Sequence, residues 1–273
     1  MAMKSTVLIT GASKGIGYDL AERLLKDGYT VYCAARTTAL LEPLEHLGGI
    51  PLHLDCEDRQ SIDACVDRIA EDGGVDILVN NAGYGLYGAI ETTPMESGRA
   101  QMEVNFFAPV YLAQRLLPYM RERGGGRIIN VSSVAGRIYS PLSGWYCASK
   151  FALEGISDCM RLELEPFGIH VVLIEPGPIR TAWSDGAKNS LLENTEGTAY
   201  EAFGRQSLRL LRSATEGRMA SDTRVVTKNI LKAIQKKKPK ARYLCGKAAY
   251  LSVVSRAFLG STLFEKAMKA QLK

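Results

Sequence analysis

No stretch of the 273-residue chain holds 18 consecutive apolar residues, so a transmembrane helix is not expected. The N-terminus, Met1-Ala2-Met3-Lys4-Ser5, runs straight into an apolar strand. It lacks the apolar core and small-residue cleavage site of a secretory signal, and a cytoplasmic location is expected. The six cysteines (Cys33, Cys56, Cys65, Cys147, Cys159 and Cys245) form no C-x-x-C pair. None lies at zinc-ligand spacing from a histidine, so no metal site is expected. They read as small buried hydrophobes in a reducing compartment. The three histidines, His46, His53 and His170, fall outside every motif described below and read as structural. Excess charge of one sign is also small: 34 basic against 29 acidic residues give +5, which does not point to nucleic acid. One basic run stands out, Lys236, Lys237, Lys238, Lys240 and Arg242. It reads as a solvated helix end and loop, with a phosphate or membrane-surface contact as the alternative. Repeats and low-complexity tracts are missing. With 46% apolar and 23% charged residues, the composition excludes a disordered, collagen-like or coiled-coil chain.

What is present is an alternation. Short apolar runs at Thr6–Thr10, Thr30–Ala35, Pro51–Asp55, Asp76–Asn80, Arg127–Ser132 and His170–Glu175 suit parallel strands buried on both faces, with Arg242–Cys245 a weaker seventh. Helical periodicity fills the gaps at Ile16–Asp27, Ser61–Asp72, Glu96–Arg123, Tyr146–Glu165 and Asp222–Lys237. Repeated βα units predict an α/β chain: one Rossmann-type doubly wound parallel sheet of about seven strands, helices on both faces. A length of 273 residues is compatible with a single dinucleotide-binding and catalytic domain spanning 1–273. Gly177–Arg218 interrupts the pattern. It is rich in Gly, Ser, Thr and Asn, shows few regular elements, and reads as a surface excursion or a substrate lid after strand six.

Strand one ends in Thr10-Gly11-Ala12-Ser13-Lys14-Gly15-Ile16-Gly17 and opens a helix. Backbone N–H groups at a helix N-terminus can approach a pyrophosphate closely only where side chains do not obstruct them. The spacing is G-x-x-x-G-x-G rather than G-x-G-x-x-G, and alone it could be a tight turn. An acid near the end of strand two would bind a ribose 2′-OH. Here that position reads Ala34-Ala35-Arg36-Thr37-Thr38, without an acid. Arg36 can instead pair with a 2′-phosphate through its planar fork, with Lys14 adding a second charge. NADP(H) is therefore the preferred cofactor and NAD(H) the alternative. Asp55, at the end of strand three, can accept from an adenine amino group. Asn81, Ala82 and Gly83 let the backbone come close to a cofactor at the end of strand four.

Tyr146 and Lys150 form Y-x-x-x-K on a predicted helix, where i,i+4 spacing places them on one face. A nearby ammonium favours tyrosinate, and the phenol is then expected to titrate below its ordinary value as a general acid or base. By itself the pattern could be an ordinary surface pair.

Together, Thr10–Gly17, Asn80–Gly83, Asn105, Ser133, Tyr146 and Lys150 resemble, in order and spacing, the short-chain dehydrogenase/reductase family. Pro176-Gly177 with Thr181 is similar to that family's loop after strand six. The resemblance covers about residues 4–185 closely. It implies that Tyr146 donates a proton to a substrate carbonyl and that Lys150 tunes it and binds the nicotinamide ribose. It further implies that Ser133 orients the carbonyl and that Asn105 holds a water linking Lys150 to the proton supply. Ser132 is the alternative to Ser133, which is preferred because it stands 13 residues before Tyr146. The cofactor set is Gly11, Ser13, Lys14, Gly15, Ile16, Gly17, Arg36, Asp55, Asn81, Ala82, Gly83, Tyr146, Lys150, Pro176, Gly177 and Thr181.

The segments Ala35–Thr37, Asn81–Gly88 and Ile174–Thr181 look most like the branch related to 17β-hydroxysteroid dehydrogenases. Retinol dehydrogenases and acyl-dihydroxyacetone-phosphate reductases are similar. This resemblance implies a carbonyl/alcohol interconversion on a lipophilic, steroid-, retinoid- or acyl-like small molecule. Pocket candidates are Tyr84, Leu86, Ser133, Ile138, Tyr139, Leu142, Trp145 and Trp183. Two other readings stay open: an acyl-carrier-protein-linked 3-ketoacyl reductase and a non-catalytic cofactor-binding regulator. Apolar residues on more than one face of Phe151–Glu165 imply a homodimer or homotetramer, as in the resembled family.

Overall fold

The computed structural model describes residues 5–271. Seven strands form one sheet: β1 (Thr6–Thr10), β2 (Thr30–Ala35), β3 (Ile50–His53), β4 (Ile77–Asn80), β5 (Gly126–Val131), β6 (Ile169–Pro176) and β7 (Arg242–Cys245). Their order is β3-β2-β1-β4-β5-β6-β7, and every neighbouring pair is parallel. This is the doubly wound sheet expected from the apolar runs. Val7, Leu8, Ile9, Leu78, Val79, Ile128 and Ile129 are fully buried or nearly so, because helices cover both faces.

Ten helices accompany the sheet among the described residues. They are α1 (Gly15–Lys26), α2 (Glu42–Glu45), α3 (Arg59–Glu71), α4 (Met95–Met102), α5 (Ala108–Glu122), α6 (Gly144–Leu164), α7 (Trp183–Glu193), α8 (Glu201–Glu216), α9 (Thr223–Gln235) and α10 (Lys247–Gln271). On one face Leu20 and Leu24 of α1, Leu44 of α2, and Val226 and Ile230 of α9 pack against the sheet. On the other, Ile62 and Ile69 of α3, Leu112 and Leu116 of α5, and Met160 and Leu164 of α6 do the same.

Helix runs on from Met95 to Glu122, as the Glu96–Arg123 periodicity predicts, with a wider π turn over Glu103–Phe107, which contains Asn105, joining α4 to α5. Such turns displace a residue from the α-helical register and often occur at functional positions. Gly177–Arg218 is mostly helical, not irregular, since α7 and α8 occupy it. Its polar residues bond helix carbonyls: the Thr195 hydroxyl donates to Leu191 at 2.7 Å and that of Thr215 to Leu211 at 2.8 Å. Finally, Cys159 is exposed, whereas the other five cysteines are buried as expected.

Between β1 and β4 the strand order reverses, so the loops leaving their carboxyl ends diverge and open a crevice. Thr10 and Asn81 tie its two sides together. The Thr10 hydroxyl accepts from the N–H groups of Asn81 at 3.0 Å and Ala82 at 2.9 Å. The Asn81 amide donates to the carbonyls of Thr10 at 2.9 Å and Gly11 at 3.2 Å.

Candidate active site

The crevice continues into a cavity of about 1290 Å³. Its floor is the glycine loop, where Gly11 and Gly15 adopt φ of +68° and +61°. Gly17 lies beneath the loop rather than in the cavity wall. A Cβ there would stand 2.3 Å from the Gly11 carbonyl oxygen, so its place in the motif is close packing. Ser13, exposed Lys14, Gly15 and Ile16 line the cavity. Arg36 and Asp55 line its far end, as do Asn81, Ala82 and Gly83 on the β4 side and Pro176, Gly177 and Thr181 on the β6 side. His53 Nδ1 lies 3.0 Å from the Arg36 carbonyl oxygen and helps to fix the backbone that presents Arg36. Asp55 is held by its own turn: its carboxylate accepts from Glu57 N–H at 3.0 Å, and its N–H donates to the Ser61 hydroxyl at 2.9 Å.

A nicotinamide dinucleotide fits these residues. Helix α1 begins with no acid in its first turn and no side-chain cap, which leaves N–H groups available to an anion. The glycine cradle is open at the surface where a diphosphate would lie, and Arg36 and Lys14 are both exposed on the cavity wall.

At the other end stand Ser133, Tyr146 and Lys150. Strand β5 delivers Ser132 and Ser133 to the rim, while α6 carries Tyr146 and Lys150 one turn apart on a single face. All three are buried. The Ser133 hydroxyl accepts from Ala135 N–H at 3.1 Å and also bonds the Tyr146 side chain. Lys150 Nζ donates to the Val131 carbonyl at 2.9 Å. Burial pushes the Tyr146 phenol well above its ordinary value, and the Ser133 bond offsets only part of that rise. The phenol thus stands above its ordinary value, against the expectation from the Tyr146–Lys150 spacing, because desolvation disfavours the phenolate; the bond to Val131 takes one of the three Lys150 donors. Burial lowers Lys150 itself to about 8, with the nearby Glu154 carboxylate pulling it back up.

Behind Lys150 lies an ion network that runs from the buried Glu154 and Glu175 to the surface. Arg242 reaches Glu154 at 3.2 Å, Glu175 at 3.0 Å and Asp158 at 2.5 Å, and Arg137 reaches Glu175 at 3.2 Å. Burial raises the Glu154 carboxyl above its usual range. Asn105 is wholly buried outside the cavity lining. Its side chain accepts from Tyr84 N–H at 3.1 Å and donates to the Tyr84 carbonyl at 2.9 Å and the Ser149 hydroxyl at 3.0 Å. It therefore fixes the Gly83–Tyr84 loop against α6.

Of the pocket candidates, Tyr84, Ile138, Tyr139 and Trp183 line the cavity with Ser133. Leu86, Leu142 and Trp145 do not, which corrects three assignments. Trp145 precedes Tyr146 on α6 and so points about 100° away, where its ring presses on Gly98 of α4. Leu86 is buried, its N–H donating to Gln101 Oε1 at 2.6 Å. Leu142 packs with Ala89, Leu191 and Leu208 at the base of α7 and α8. It is also the described non-glycine residue with positive φ, at 59°. Its carbonyl accepts from Gly88 N–H at 2.8 Å, which helps to hold that conformation.

The sequence reading missed Tyr87. Its ring stacks near Tyr146 at 6.0 Å between centroids, and the Trp183 ring stands 5.2 Å from Tyr146. Burial raises the Tyr87 phenol steeply, so it stays a neutral wall. The alternation Tyr84-Gly85-Leu86-Tyr87 after β4 was the available signal. The lid adds Leu191, Leu210 and Leu211, and Met219 and Met268 complete this apolar end.

A family model described as short chain dehydrogenase matches residues 5–191. The chain belongs to the short-chain dehydrogenase family. As a member it is an oxidoreductase with a Rossmann-type, NAD(P)-binding fold. Among curated relatives, the 3-ketodihydrosphingosine reductase of Bacteroides thetaiotaomicron is 35% identical over 266 residues, covering 96% of both chains. Human 17-beta-hydroxysteroid dehydrogenase type 1 is 37% identical over 258 residues, covering 88% of this chain and 77% of its own. A solved short-chain dehydrogenase from Streptomyces avermitilis superposes with a TM-score of 0.82 at 32% identity, covering 99% of each chain.

Proposed function

We propose that the protein is an NADP(H)-preferring reductase/dehydrogenase that interconverts a lipophilic ketone or aldehyde and its alcohol. The observation that carries this reading is the placement of Ser133, Tyr146 and Lys150 at the apolar end of a cavity whose other end is basic. A nicotinamide cofactor held by the glycine loop, Arg36 and Lys150 would supply or accept the hydride at the substrate carbon. Everything else falls to the chain. A tyrosine phenol holds its proton at neutral pH, as a general acid for reduction requires, and the upward shift of Tyr146 leaves the developing alkoxide, a strong base, to draw that proton off. Ser133 stabilises the oxygen as negative charge develops on it. Lys150, lowered to about 8, is poised to return a proton to Tyr146 and to bind the nicotinamide ribose. Asn105 acts as a positioning residue through Tyr84 and Ser149. Water has little foothold among Tyr87, Trp183, Leu191 and Leu211, which strengthens each of these interactions.

NADP(H) preference follows from Arg36 and Lys14 where an acid would otherwise accept the ribose hydroxyl. A lipophilic substrate is supported by the apolar lining and by two relatives, a 3-ketodihydrosphingosine reductase and a 17-beta-hydroxysteroid dehydrogenase. We take residues 1–273 as one functional domain with α7 and α8 as its lid. Exposed Phe151 and Leu162 on α6 support a homodimer, for which light scattering at micromolar concentration should report twice the chain mass.

Initial rates on a panel of carbonyls with NADPH and NADH test the reading. Faster turnover of steroid or long-chain aliphatic ketones with NADPH is expected. Turnover restricted to carrier-protein-bound β-ketoacyl groups would contradict it, as would turnover favouring NADH.

A further inference from the structure

Helix α10 turns large apolar side chains outward. Tyr250, Leu251, Val254 and Phe258 are exposed on the leg before Gly260, Phe258 by 86%. At about 100° per residue these four positions fall within a stripe roughly 100° wide, while Ala249 and Val253 on the opposite side are buried. Gly260, at φ +64°, breaks the helix, and Leu263 on the second leg is exposed as well.

Basic residues outnumber acidic ones along the same segment. Between residues 247 and 273 the sequence carries Lys247, Arg256, Lys266, Lys269 and Lys273 against the single acid Glu265. The Glu265 carboxylate accepts the Tyr139 hydroxyl at 3.1 Å, and Lys266 and Lys269 are exposed. Two copies meeting through this face would bring like charges together, which disfavours self-association. An anionic lipid surface complements both properties at once: the headgroup boundary receives an apolar stripe while lipid phosphates attract the basic residues.

We propose that α10 docks the protein onto an anionic membrane surface. No described helix is long and apolar enough to cross a bilayer, so the segment would lie on the surface rather than span it. The Lys236–Lys240 run is not part of this site. It enters β7 from the opposite end of the sheet to the one from which α10 leaves. Ala248, Ser252 and Met268 of α10 line the active-site cavity, so docking sets a cavity wall against the lipid. That last consequence rests on the lipophilic-substrate reading. Vesicle binding does not, and the two fail separately.

Flotation of the full chain with phosphatidylcholine vesicles, with and without phosphatidylserine, tests the proposal. The protein should float with the mixed vesicles and be released by high salt. Leu251→Glu with Phe258→Glu should abolish flotation, and Lys266→Glu with Lys269→Glu should weaken it by at least about tenfold. NADPH quenching of tryptophan fluorescence reports whether each variant is folded. If the apolar pair fails to fold, the lysine pair carries the test, and unchanged flotation overturns the proposal. So does a parent chain that stays out of the vesicle fraction. A dimer that Phe258→Glu dissolves, with no vesicle binding by the parent, would assign the face to a second copy and overturn it equally.

Discussion

Residues 5–176 and 177–271 build the same cavity by different means. In the first stretch, strand ends and tight loops place each polar group within narrow limits, as the Thr10–Asn81 ties show. The second stretch closes the sheet with β7 and adds α7 and α8, which lean on this frame through apolar contacts and a few bonds to the β4 loop. Ser190 accepts from Tyr87 N–H at 3.1 Å, and Asn194 donates to the Tyr87 carbonyl at 2.9 Å. On the proposed function, the first region carries the basic end and the proton chemistry and shares the apolar end with the second, whose α7 and α8 add Trp183, Leu191, Leu210 and Leu211 to the substrate wall. Pocket walls tolerate substitution in a way that a phosphate cradle does not.

Substitutions on the two sides should therefore move different observables. Arg36→Asp removes an attraction for a 2′-phosphate and adds a repulsion. The ratio of kcat/KM for NADPH over NADH should fall by about 100-fold, the scale of losing a charge-assisted hydrogen bond. An unchanged ratio would break the assignment of cofactor choice to the first region. Trp183→Ala, from α7, should raise KM for an apolar ketone by about tenfold, because the substrate loses a hydrophobic wall. NADPH affinity should hardly change. If fluorescence titration shows cofactor binding weakened as much as substrate binding, the two regions are not separable in this way.

The smallest effect concerns the ion network that joins them, since Arg242 of β7 holds Glu154 of α6. A carboxyl whose folded pKa lies above its unfolded value binds its proton more tightly in the folded chain. Its contribution to stability is therefore present at low pH and declines as pH rises from the ordinary carboxylate range toward the raised value. Glu154→Gln mimics the protonated form. It should raise Tm by on the order of 2–4 °C near pH 7.5 and leave it almost unchanged near pH 4.5. A variant less stable than the parent at the higher pH would show that the Arg242 pairing outweighs the burial cost.

Legibility in the sequence follows the same division. The strands were readable because both faces of a parallel sheet need apolar residues, and their ends shifted by only a residue or two. The motif residues were readable because the glycine cradle and the i,i+4 pair depend on local geometry. Leu142 and Trp145 were misplaced for lack of that local constraint: which way a side chain between Ser133 and Tyr146 points depends on where α4 and the lid pack. The lid helices were hidden by Ser, Thr and Asn residues that bond helix carbonyls instead of breaking the helix. Helix α10 was hidden because its apolar residues face outward, which defeats a search for a core-facing stripe. The direction of the Tyr146 shift was misread because an i,i+4 lysine is visible in sequence and burial is not.

The central claim is that buried Tyr146 is the proton donor. It is tested most directly by single-turnover carbonyl reduction with Tyr146→Phe under saturating NADPH. The ring packing against Tyr87 and Trp183 is preserved and only the hydroxyl is lost. The account predicts a rate loss of about 10²–10⁴-fold with NADPH binding intact. A variant that keeps more than about a tenth of the parental chemical rate would contradict it, because the loss expected on removing a general acid would be absent.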